Sequence, residues 1–284
     1  MADIETVNRL KALAYQQRVR LITLCREYDG NVHIGGDMSM TDMLITLYHY
    51  GMNVDPHDIA MPTRDRFVLS KGHAAVCMYI AMSLRGFFDF NEILATYGRI
   101  GTAFGQHPCK VHLPGVECSS GSLGQGFPMA IGMALAARQR GKKHRVFCMM
   151  GDGETCEGVV WEAAMFAGSR NLGNLIAVVD RNRQFMTRYS DEGFMKLEPY
   201  ADKWRAFGWN AIEIDGHDMK AIVDAIDALP ASDSDCPTAI ICDTIKGKGV
   251  SFMERNISWH AGNMTEEQAA QALKELKEAY EKTL

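Results

Sequence analysis

Hydrophobic and polar positions divide the chain into segments of two kinds. Residues 3–28 read as an amphipathic helix, which the segment DGNVHIGGD breaks. A second helical pattern covers MSMTDMLITLYHY (38–50), and the short apolar run RFVLS (66–70) reads as a strand. SKGH then leads into an apolar helix near 74–85. An irregular stretch rich in Gly, His and Pro (98–121) ends in SSGSLGQG and passes into a helix, FPMAIGMALAARQRG, closed by Gly141. Beyond it, short apolar strands alternate with helices: strands at 145–150, 174–180, 209–215 and 238–243, helices at 158–170, 199–208 and 219–229. From Thr265 the tail is another amphipathic helix, over 265–284.

Strands of five to seven residues separated by helices predict an α/β fold: three layers, with an open, mostly parallel sheet and helices on both faces. Residues 1–284 read as a single domain. Ligands of such sheets bind beyond the carboxyl ends of the strands. The loops after residues 70, 150, 180, 215 and 243 are therefore the places to look.

Composition narrows the field. With 284 residues, 47% hydrophobic and 23% charged, the chain is an ordinary globular protein. A formal charge of −5 without a basic block speaks against nucleic acid as the main partner. No stretch has the length of a membrane helix or the apolar core of a signal peptide, so the expected location is the cytoplasm. Eight cysteines without a C-x-x-C pair fit small buried side chains in a reducing compartment, and the eighteen methionines fit core filling.

Two of the strand-end loops carry candidate chemistry. Gly151-Asp152-Gly153-Glu154 follows one strand and Asp180-Arg181-Asn182-Arg183-Gln184 the next. Adjacent parallel strands would hold these loops side by side. A carboxylate, an amide oxygen and a main-chain carbonyl are hard oxygen ligands, suited to Mg²⁺ or Ca²⁺. The flanking glycines let a phosphate approach the backbone. Four histidines, His33, His73, His107 and His260, lie in Gly- or Pro-containing loops, where imidazole can donate, accept and shuttle protons near neutral pH.

GDG followed some thirty residues later by Asn resembles the signature of thiamine diphosphate enzymes. The stretches DRFVLSKGHAA, GQHP, SSGSLGQG, GDGETCEG, DKWRAFGW, DGHD, IKGKGVSFME and SWHAGN, in that order, resemble the transketolase family and span about residues 30–263. The resemblance implies a thiamine diphosphate-binding fold of the diphosphate-holding type. It makes Asp152, Asn182 and the Gln184 carbonyl ligands of Mg²⁺, with Ca²⁺ or Mn²⁺ as alternatives. Gly153 would touch the diphosphate, Gly121 and Leu123 would line the cofactor rings, and Glu157 would join a carboxylate network across a subunit interface. His33, His107 and His260 would face the substrate, with His260 also at the cofactor, and His73 would lie near the diphosphate and the reacting carbon.

His217, Arg181 and Arg183 are left without a fixed role, the arginines either pairing with the diphosphate or pointing to solvent. Where the family has His-Pro-Gly, this chain has His33-Ile34-Gly35. No segment resembles the family's pyrimidine-binding domain, which supplies the activating glutamate. The resemblance thus implies the N-terminal half of a split transketolase with a separate C-terminal subunit, in an α2β2 heterotetramer acting on a sugar or sugar phosphate. The competing readings are an α subunit of a 2-oxo acid dehydrogenase, a deoxyxylulose phosphate synthase-like subunit, and a non-catalytic stabilising paralogue.

Overall fold

A computed structural model describes residues 3–189 and 195–283. Five parallel strands, β1 (Arg66–Leu69), β2 (Val146–Gly151), β3 (Leu175–Arg181), β4 (Asn210–Asp215) and β5 (Thr238–Asp243), form one sheet in the order β1-β2-β3-β5-β4. Successive strand side chains point to opposite faces, and here both faces are covered. Phe67, Leu69, Phe147, Met149, Ile176, Val178 and Ile240 share a core with α1 (Ile4–Glu27), α2 (Ile34–Thr46), α3 (Ala75–Arg85), α8 (Met219–Asp227) and α9 (Glu266–Glu281). Val68, Val146, Cys148, Met150, Ala177, Val179 and Ile241 pack on the other side. Their partners are α5 (Gly126–Gln139), α6 (Gly158–Ser169) and α7 (Tyr200–Ala206). The remaining helix, α4 (Phe90–Thr96), starts at an Asp89 cap and was not foreseen from the pattern. Among the described residues no helix is long and apolar enough to cross a membrane.

Helix α2 begins at Ile34 rather than Met38. Gly35 and Gly36 look like helix breakers, each costing about 1 kcal/mol relative to alanine. A Cβ at position 35, however, would fall 2.4 Å from the Trp259 carbonyl oxygen. Glycine there lets the first turn lie directly against the chain that carries His260, and all thirteen residues of α2 are buried. The methionines are mostly core, as composition suggests, but Met129, Met165, Met186 and Met195 are exposed.

Register places the site. Gly151 pairs with Asp180, and Asp180 with Cys242, so the residues after β2, β3 and β5 emerge side by side. The 98–121 segment is tied to the end of α1. The Tyr28 side chain is flanked by Gly30 and Gly98, where added Cβ atoms would come within 2.6 Å of its ring and 2.4 Å of its hydroxyl. Its hydroxyl accepts a hydrogen bond from Gln106 Nε2 at 3.0 Å.

Candidate active site

Asp152 leaves β2 into a tight helical turn and is 1% exposed. Its Oδ1 accepts from the Gly153 N–H at 2.8 Å and its Oδ2 from the Arg183 N–H at 2.8 Å. Burial, with the neighbouring Asp180 charge, pushes its pKa up to about 6. Across the ladder, Asn182 Nδ2 donates to Asp180 Oδ2 at 3.2 Å and to Ser39 Oγ at 3.3 Å, which fixes the facing of its amide. Asn182 Oδ1 accepts from the Gln184 N–H at 3.1 Å. Arg183, in the left-handed region at φ 60°, turns the backbone between them. The side chains of Asp152 and Asn182 and the carbonyl of Gln184 are thus brought together at two neighbouring strand ends.

Two buried lysines border these oxygens, and neither was singled out from the sequence. Lys71, 1% exposed, pairs with Asp180 Oδ2 at 2.6 Å and donates to the Gly36 carbonyl at 3.2 Å. Burial works against the Asp180 charge. The Lys71 ion pair and the hydroxyls of Ser39 (2.6 Å) and Thr244 (2.5 Å) outweigh it and hold the carboxyl below its ordinary range. Lys246 Nζ donates to the Gln184 carbonyl at 3.3 Å and lies 2.8 Å from His260 Nδ1. Burial and the Lys71 charge push its pKa down to about 8.

Three of the four candidate histidines meet beside the lysines. Ring centroids are 5.2 Å apart for His33 and His73, 5.5 Å for His33 and His260, and 6.1 Å for His73 and His260. Burial lowers all three pKa values, and the lysines and neighbouring histidines add to it, taking His73 to about 2 and His260 to about 3. Neutral imidazoles in this state can both donate and accept hydrogen bonds at pH 7. His107 is exposed and sits against Gly121, where an added Cβ would be 3.3 Å from its ring. Leu123 is partly exposed beyond it. Gly153 faces the Phe185 ring, 2.6 Å from where a Cβ would stand.

The other sequence candidates fall elsewhere. Glu157 is exposed at the start of α6. His217 braces α2: its Nδ1 lies 2.8 Å from Asp42 Oδ2, and its Nε2 accepts from the Ile245 N–H at 2.8 Å. Arg181 is buried in an ion pair with Glu198, its guanidinium 4.9 Å from the Tyr200 ring centre. Arg183 pairs with Asp243 at 3.0 Å. Both arginines therefore meet carboxylates of this chain.

The donor set suits a hard divalent cation held by oxygens. Among the described residues no cluster of three His, Cys, Asp or Glu side chains offers a metal site. The Lys71 and Lys246 charges oppose one another, and a polyanion beside them would relieve that opposition. A diphosphate carried with a divalent cation fits both features. Residues 11–282 match the family described as the transketolase thiamine diphosphate-binding domain.

This chain belongs to the transketolase family.

As a transketolase-family chain it is similar to the 6-deoxy-6-sulfo-D-fructose transketolase subunit of Clostridium sp. strain MSTE9, at 43% identity. That alignment covers 86% of this chain and 88% of the relative. An apulose-4-phosphate transketolase subunit of Phocaeicola vulgatus is 37% identical, with 97% and 96% covered. The crystal structure of transketolase from Campylobacter jejuni superposes with a TM-score of 0.85 at 26% identity. It covers 97% of this chain, which spans 43% of the length of that protein. The chain is an N-terminal, thiamine diphosphate-binding transketolase subunit by this membership.

Proposed function

We propose that this subunit holds magnesium and thiamine diphosphate at the ends of β2 and β3 and forms one side of a ketol-transfer site completed by a second subunit. The observation that carries the reading is the meeting of Asp152, Asn182 and the Gln184 carbonyl beside Lys246 and the His33–His73–His260 cluster. Thiamine diphosphate, when bound, supplies the electron sink that two-carbon ketol transfer requires. The three oxygens would take the metal, for which Mg²⁺ is the natural choice and Ca²⁺ or Mn²⁺ an alternative. Gly153, Lys246 and His73 would hold the diphosphate, and Gly121 and Leu123 would line the rings. His33, His107 and His260 would bind sugar hydroxyls and move protons, which imidazole can do without burying a permanent charge.

Several features support a partner that carries the pyrimidine-binding domain and the activating glutamate. The relatives above carry subunit names, Glu157 is exposed, and the loops around the site expose Ile100, Val111, Leu123 and Met186. An α2β2 assembly would bury these positions. The substrate class shared by the two named relatives is a ketose ending in an anionic group, sulfonate or phosphate, and we assign that class here. The eight free cysteines, five of them buried, fit a reducing cytoplasmic setting.

Calorimetry on the full chain tests the site. The wild type is expected to bind Mg²⁺–thiamine diphosphate, and Asp152→Ala to lose at least about 100-fold in affinity, the effect of removing a charged ligand of about 3 kcal/mol. Retained affinity in this variant would overturn the metal assignment. Ketol transfer by the chain without any second subunit would overturn the shared site.

A further inference from the structure

Two residues after Asp152, Glu154 turns inward and is 3% exposed. Its Oε1 accepts from the Ser70 hydroxyl at 2.5 Å and the Gly124 N–H at 2.8 Å, and its Oε2 from the Gly151 N–H at 3.2 Å. The three donors belong to three different loops: the end of β1, the turn before α5, and the end of β2. A carboxylate accepting from all of them ties these loops at one point.

The loops otherwise meet along a seam of glycine. A Cβ on Gly126 would lie 2.6 Å from Ser70 Cα, and one on Gly72 would lie 2.8 Å from the Ser120 carbonyl carbon. One on Gly124, at φ 80°, would lie 2.9 Å from the Val159 side chain. Glycine allows this approach but provides no interlocking side chain, so the seam relies on hydrogen bonds to hold its loops in place. Hydrogen bonds to an ionised acceptor are short, directional and stronger than neutral ones. Ser120, donating to the Leu69 carbonyl at 2.5 Å, fixes one end of the seam, and Glu154 fixes the other.

We propose that Glu154 is a positioning residue that locks the Gly121–Gly124 turn, which would line the cofactor rings, to the Gly151–Gly153 loop, which would hold metal and diphosphate. This rests on the reading above and adds a division of labour to it. The metal loop can bind a diphosphate without Glu154, because Asp152 is held by the Gly153 and Arg183 N–H groups. The ring-side turn depends on Glu154 for its height above that loop.

The test compares Mg²⁺–thiamine diphosphate with Mg²⁺–pyrophosphate as ligands of the full chain by calorimetry. Glu154→Gln keeps the size of the side chain but sets an NH₂ group against one of the three donors. It is expected to raise the Kd for thiamine diphosphate about tenfold, the loss of one charge-assisted hydrogen bond, and to move that for pyrophosphate less than about twofold. Ser70→Ala, which removes one donor and leaves the carboxylate, is expected to give the same selective loss at smaller size. It serves in place of Glu154→Gln if that variant does not fold, as judged by circular dichroism. Equal loss for both ligands, or no loss for either, would overturn the positioning role. A wild type that binds both ligands equally would instead remove the ring-lining assignment of Gly121 and Leu123. A wild type that binds neither would remove the metal–diphosphate reading itself.

Discussion

At the scale of single residues, the site keeps a cluster of histidines neutral beside the Lys71–Asp180 ion pair. His73, held at about 2, ordinarily titrates near 6.5 in an unfolded chain. Its folded pKa is lowered, so as pH falls below about 6.5 the unfolded state takes up the proton first. Stability then drops by up to about 1.4 kcal/mol per pH unit for this one group. His260 and His33, lowered for the same reasons, act in the same direction. Urea midpoints measured between about pH 7 and pH 5 should fall in the wild type and fall less steeply in His73→Asn. An unchanged slope would remove His73 from the acid response. Asp152 and Asn182 stand out in the sequence because they follow apolar runs directly, and His33, His73 and His260 because they stand in glycine-bearing loops. Lys71, Lys246, Asp180 and Glu154 do not. A lysine or a glutamate is most often solvated, and only the tertiary fold shows that these are enclosed and what they meet.

Among the elements, strand positions could be read closely because each strand is a short apolar run bounded by polar loops. β2 and β3 lie within one residue of the expected ends. The start of α2 was hidden because Gly35 answers to Trp259, over two hundred residues away. The same helix is joined to α1 by a buried pair. Arg18 Nη1 and Nη2 donate to Asp42 Oδ1 and Oδ2 at 2.8 and 2.6 Å, and His217 closes the group from the loop before α8. Burial opposes the Asp42 charge, but Arg18 and His217 hold its pKa well below the carboxylate range. The stability this contributes is therefore complete above about pH 4 and is lost only as pH falls through the depressed value. Asp42→Ala leaves Arg18 enclosed without its partner and should cost about 3–5 kcal/mol at pH 7, measured by denaturant unfolding. A cost under about 1 kcal/mol would mean that Arg18 finds water or another acceptor.

For the molecule as a whole, the parallel sheet gathers chemistry from distant parts of the sequence at one edge, and ligand binding there should be felt throughout the fold. A ligand that binds only the folded state adds about 2.7 kcal/mol at a hundred times its Kd. Mg²⁺ with pyrophosphate is expected to raise the melting temperature, EDTA to reverse the rise, and Asp152→Ala to abolish it, all by differential scanning calorimetry. A rise that persists in Asp152→Ala would place the ligand elsewhere. The tethering of the 98–121 segment by Tyr28 bears on how such a protein acquires new substrates. Its foot, Gly98, packs directly on the Tyr28 side chain, whereas Ile100 and Val111 farther along it are exposed. Loops of this kind tolerate substitution and insertion where they carry no packing. These exposed positions are free to drift while the foot keeps its place, so selection can retune which sugar is received without reopening the core.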